Sequence, residues 1–194
     1  MPSDDSSHSH SQDRTQRMFL AVSPPEPVRA LIAGLATPLR EVRWTPADQL
    51  HVTLRFLGDV PEEKITPLVE RLTSIRVEPF LLPVEGVGVF PNEHAPRVLW
   101  IGVGAGHPRL HQLRQRVDDA LLASGLDVDL RTFHPHITVA RCGDLATHAI
   151  KPWLRKYRDF AGPTFRVESF GLFSSVLTPA GAIHEPVSKI PLLK

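Results

Sequence analysis

Residues 51–59 read HVTLRFLGD and residues 136–144 read HITVARCGD. The two stretches align without a gap: a His, a Thr two positions on, then Gly-Asp at the seventh and eighth positions after the His. In a strand successive side chains alternate faces, so His51 and Thr53 point one way and His136 and Thr138 likewise, while Val52, Leu54, Ile137 and Val139 form an apolar reverse side. Two strands written in the same register indicate that the chain is a duplication.

The sequence around each strand repeats the same order of elements. RMFLAV at 17–22 reads as a strand, and Val28, Leu31, Ile32 and Leu35 recur at helical spacing after it. The first His strand spans 50–57, Gly58-Asp59 ends it, and Pro61-Glu62-Glu63 starts a helix in which Pro67 either kinks the axis or makes Thr66 a new N-cap. FLLPVEGVGVF and RVLWIGV then read as a hairpin. In the second half Leu110, Leu113, Val117, Ala120 and Leu121 mark one helix face, with Gly125 placed to end it. The second His strand, a helix near 147–157 and two strand-like stretches follow. Asp59 and Asp144 read as caps of the helices after them. Fused copies of one unit commonly pack about a pseudo-two-fold axis, which would bring the two His strands together.

Composition narrows the class. A chain of 194 residues with 42% apolar content can fill one core, and no run approaches the roughly 18 apolar residues of a membrane span. Residues 1–16 are polar and aperiodic and are expected to form a disordered tail, including the His-Ser-His at 8–10; residues 17–194 are expected to form one domain of two similar lobes. One cysteine, Cys142, and no secretory h-region point to a reducing, cytoplasmic location. A net charge of +1 argues against wrapping duplex nucleic acid, which needs a broad basic face.

Two imidazoles facing each other suit a reaction in which one proton is removed while another is delivered. Phosphodiester cleavage has that requirement, and Thr53 and Thr138 would hold the nonbridging oxygens as charge develops. A metal site is the rival: His134 and His136 form HPH, two imidazoles on one face of an extended segment, with His51 to complete a facial set. A non-catalytic RNA-end-binding module is the third reading, although binding alone would not need two opposed titrating groups. His94, His107, His111, His148 and His184 have no sequence partner and read as surface or helix-end residues.

The copies also differ informatively. Five residues after each His stand Phe56 and Arg141, an aromatic and a cation that suit a nucleotide with a base to stack and a phosphate to bind. Strict alternation puts both on the wrong face, so they reach the groove only through a bulge or twist; Arg55 has the right parity and is the alternative phosphate or RNA contact. Trp44 reads as a core residue or as part of the groove's rim.

HVTLRFLG and FHPHITVAR, with MFLAV before them and RVLWIGV between, resemble the two-histidine phosphoesterase superfamily, and most closely the bacterial RNA 2′,3′-cyclic phosphodiesterases, also called 2′-5′ RNA ligases. The resemblance covers 17–194. It implies a bilobed α+β fold in which two antiparallel sheets line a central groove with helices outside. It implies hydrolysis of RNA 2′,3′-cyclic phosphate ends, or of small nucleotides bearing that group, to a 2′-phosphate, with 2′-5′ ligation as a side activity. No metal and no other cofactor is implied, and a monomer away from membranes is expected. His51 would be the acid, His136 the base, and Thr53 and Thr138 the phosphate-holding hydroxyls; the residues alone leave the two histidine roles interchangeable.

Overall fold

A computed structural model describes residues 14–128, 131–178 and 181–193. The expected tail, apart from its last residues, lies outside these. Strand β1 (Thr15–Val22) begins two residues earlier than expected, because Thr15 and Gln16 pair with Pro61 and Val60. It is followed by α1 (Glu26–Ala33), β2 (Val42–Trp44), a 3-10 turn (Ala47–Gln49), β3 (Val52–Pro61) and α2 (Glu62–Thr73). Next come β4 (Phe80–Leu82), β5 (Val84–Phe90), β6 (Val98–Val103) and α3 (Pro108–Ala123). The chain closes with β7 (His136–Cys142), α4 (Ala146–Ala149), α5 (Lys151–Lys156), β8 (Phe165–Val167), β9 (Ser169–Thr178) and β10 (Gly181–Pro191).

Hydrogen bonding runs antiparallel in the order β10-β9-β1-β3-β7-β6-β5, with β2 beside β7, while β4 and β8 pair separately. The long sheet consists of two four-stranded halves that meet at a single backbone pair, Val52 with Ile137. Each half borrows two strands: β9 and β10 of the second copy extend the sheet beyond β1, and β5 and β2 of the first copy lie against β6 and β7. The lobes therefore cannot be separated along the sequence, which makes the duplication an interlocked one.

The apolar reverse face is the core. Val52, Leu54, Ile137 and Val139 are at most 3% exposed, and the buried stripe of α3 is Leu110, Leu113, Val117 and Leu121. Gly125 ends α3 as expected: at φ +67° it lets its own N–H reach the Leu122 carbonyl and that of Leu126 the Leu121 carbonyl. Trp44 is half-buried, packs 5.5 Å from Trp153, and donates its indole N–H to the Thr37 carbonyl at 2.7 Å. It belongs to the packing of its lobe.

Several local expectations give way to neighbouring structure. Leu31 is 42% exposed, because α1 is short and buries only Val28 and Ile32, one turn apart. Helix α2 runs through Pro67 without a second start at Thr66. Gly58 does not end β3; at φ +70° it sits in an irregularity opposite Met18 and the strand continues to Pro61. Asp59 is thus a strand residue opposite Arg17, and Asp144 is ion-paired to Arg97; neither caps a helix. Pro83, which has no N–H for a ladder, divides the expected 80–90 strand into β4 and β5.

Candidate active site

The pair Val52–Ile137 centres the two copies on each other, and the antiparallel register it sets puts His51 across from Thr138 and Thr53 across from His136. Each imidazole is held in the same way. The His51 Nδ1–H donates to the Gln49 carbonyl at 2.7 Å, and the His136 Nδ1–H donates to the His134 carbonyl at 2.7 Å. A carbonyl can only accept, so both rings carry the Nδ1 proton and, when neutral, each has an unprotonated Nε2. This is the contribution of the HPH segment: the His134 backbone orients His136, while its own ring lies 4.8 Å from Trp100 and 5.3 Å from Phe90.

A bulge at the same step in both copies settles which neighbouring side chains reach the groove. In β3 the register against β1 jumps from Thr53 to Arg55, and in β7 the register against β6 jumps from Thr138 to Ala140. Leu54 and Val139, each three residues after its His, are the extra residues, and the two side chains that follow each of them, Arg55 and Phe56 in β3 and Ala140 and Arg141 in β7, change face. Phe56 is consequently 66% exposed, its ring 6.0 Å from Phe19, which in turn lies 4.9 Å from His51. Arg141 is exposed and near enough to disfavour protonation of both His51 and His136.

Arg55 is turned away by the same bulge. It is 6% exposed and makes two hydrogen bonds to Asp118 of α3, at 2.8 and 2.5 Å, on the face opposite the histidines. The expectation that it contacts substrate is therefore corrected, since alternation fails one residue before it.

Electrostatics favour neutral imidazoles. Burial lowers the His51 pKa from 6.5 to about 4 against the pull of its backbone hydrogen bond, with smaller contributions from His184, His136 and Arg141. His136 is lowered as well, first by burial and then by His134 and Arg141.

The LigT like Phosphoesterase family model matches residues 22–100 and again residues 101–184. The chain belongs to this family. The two matches begin at Val22 and Ile101, and the strand register makes these residues equivalent, since Val22 pairs with Val52 and Ile101 with Ile137. An Aeropyrum pernix protein named RNA 2′,3′-cyclic phosphodiesterase is 35% identical over 164 residues, 84% of this chain and 92% of that protein. An Archaeoglobus fulgidus protein of the same name is 36% identical over 172 residues, 87% of this chain and 96% of that one. Among solved structures, Escherichia coli LigT complexed with 3′-AMP superposes with a TM-score of 0.75 at 27% identity, covering 93% of this chain and 99% of that one.

One residue of this LigT-like phosphoesterase site escaped the sequence reading. His184, in β10, lies 5.2 Å edge-on to His51 and 4.7 Å from Phe19, and its backbone N–H donates to the Gln49 side-chain oxygen at 2.9 Å. Burial and then Arg141 lower its pKa. Its stretch, GAIHEP, carries no local signal, because only the β9–β10 pairing brings it to the groove. Among the described residues no group of three or more His, Cys, Asp or Glu is placed to share a metal ion.

Proposed function

We propose that this protein hydrolyses RNA 2′,3′-cyclic phosphate ends, leaving a 2′-phosphate and a free 3′-hydroxyl, by acid–base catalysis between two histidines without a metal. The observation that carries the reading is the matched pair of Nδ1–H bonds to carbonyls, which gives each imidazole one free Nε2 on the groove face. The names of the Aeropyrum and Archaeoglobus relatives support the substrate.

His136 takes a proton from the attacking water as its oxygen bonds to phosphorus. The bond from phosphorus to the 3′-oxygen breaks, and His51 gives that oxygen a proton. Thr53 and Thr138 donate hydroxyl hydrogen bonds to the nonbridging oxygens, Arg141 balances the phosphate charge, and Phe56 stacks the base. Burial and the neighbouring cation hold the His51 pKa down, and the negative charge of a bound phosphate raises it toward the range an acid needs. A 5′-hydroxyl in place of water would yield a 2′-5′ linkage through the same steps, which is the ligase side activity. Because both halves of the site come from one chain, the enzyme needs no second copy and works as a monomer; its single, unpaired cysteine fits the cytoplasm.

The test is hydrolysis of a short RNA ending in a 2′,3′-cyclic phosphate, in EDTA, by wild type, His51→Ala and His136→Ala. A 2′-phosphate product formed by wild type and lost in both variants supports the reading. Dependence on added metal would return the HPH segment to consideration as a ligand set.

A further inference from the structure

We infer that a cavity beside His51 is a second phosphate subsite, which receives the 5′-phosphate of the nucleoside whose cyclic end reacts. The inference rests on the function proposed above and names a part of the substrate that function leaves open.

The cavity arises where the two copies diverge. Ala21 pairs with Thr53 on one side and Gly171 on the other; Trp100 pairs with Thr138 and Gly88. Ala21 and Trp100 are thus equivalent positions, as are Gly171 and Gly88. In one half the Trp100 indole lies so closely on Gly88 that an added Cβ would stand 2.2 Å from the ring. In the other half Ala21 offers no ring; the Phe173 ring lies on Gly171 instead, 2.8 Å from where a Cβ would stand, and with Gly171, Phe19, His51 and His184 it lines a cavity of about 430 Å³. That volume falls within the roughly 300–1,000 Å³ of small-molecule sites. His51 stands on both the groove and the cavity, so a nucleotide reacting at the histidine pair has open space directly alongside.

The lining identifies the ligand as an anion. Arg29, in the first turns of α1, and Lys189 of β10 both face the cavity. The Arg29 Nε is buried and has no hydrogen-bond partner, although buried donors are normally paired. The carboxylates of Glu26 and Asp48 also border the cavity, but both residues are exposed, and neither is ion-paired to Arg29 or Lys189. A guanidinium with an unmet donor beside a second cation suits phosphate oxygens. A nucleoside 2′,3′-cyclic phosphate has one further position where such a group is attached, its 5′-oxygen.

The experiment measures initial rates on a nucleoside 2′,3′-cyclic phosphate, on the same compound bearing a 5′-phosphate, and on a dinucleotide ending in that nucleoside. Wild type should show a KM roughly tenfold lower for the two substrates that carry the extra phosphate, the size expected of a charge-assisted contact. Arg29→Ala/Lys189→Ala should lose that advantage while kcat stays unchanged. An advantage confined to the dinucleotide would assign the subsite to an internal RNA linkage; one confined to the 5′-phosphorylated nucleoside would assign it to a monoester. Equal KM values across the three in wild type, or an equal loss on all three in the variant, would overturn the inference. If none is hydrolysed, the proposed function fails separately. Calorimetric binding of a nucleoside 5′-monophosphate then decides: weaker binding in the double variant supports the subsite, and unchanged binding removes it.

Discussion

Arg55 and Asp118 are joined by two hydrogen bonds beneath the sheet, and Asp118 also accepts one from Arg114 at 3.2 Å, four residues before it on α3. The pair ties β3, which carries His51 and Thr53, to the helix packed under it. Arg55→Ala leaves Asp118 with one cation fewer in a half-buried place, and breaking a buried pair costs about 3–5 kcal/mol, at the lower end here because Arg114 remains. Thermal unfolding should show that loss while KM stays at its wild-type value. A raised KM with unchanged stability would put Arg55 back among the substrate contacts.

Phe56 is the reverse case. At 66% exposure its side chain contributes little to the core, so Phe56→Ala should change stability by no more than about 0.5 kcal/mol. Stacking of a base on an aromatic ring amounts to about 1–3 kcal/mol, so KM should rise by roughly tenfold or more. Paired urea melts and steady-state kinetics separate the two effects; a variant that melts early would make Phe56 a structural residue.

These neighbours show what the sequence could and could not convey. The aligned His and Thr positions disclosed the duplication and the polar face, because alternation holds from His51 to Thr53 and from His136 to Thr138. It fails at Leu54 and Val139, where a bulge is made by the register of the partner strands β1 and β6, and nothing in the local residues marks it. Parity therefore misassigned Arg55, while the repeat alignment picked out Phe56 and Arg141. His184 was invisible for a related reason, since its place is fixed by pairing across the sheet and by the Gln49 side chain.

Arg141 contributes to the depressed pKa of His51, His136 and His184. Arg141→Ala should raise all three, which imidazole NMR titrations would follow ring by ring. Inorganic phosphate added to wild type should also move His51 upward, and this response should weaken in the variant, where the cation that holds the anion is gone. Titrations that coincide for the two proteins would remove Arg141 from the site.

Burial of His51 also sets a pH dependence of stability whose sign follows from proton counting. Folded, the imidazole takes up its proton near pH 4; unfolded, near 6.5. Between those values the unfolded chain holds more protons, so stability falls as the pH is lowered. The contribution is fully present above pH 6.5 and is lost toward pH 4, and at 1.36 kcal/mol per pH unit it amounts to about 3 kcal/mol. His136 and His184, also lowered, act in the same direction. Urea unfolding of wild type and His51→Ala at pH 7.5 and 4.5 isolates the term: both should weaken in acid, the variant by the smaller amount. An equal loss in both would mean that His51 is protonated as readily in the folded protein as in the unfolded chain, and the enclosure that keeps its imidazole neutral would have to be abandoned.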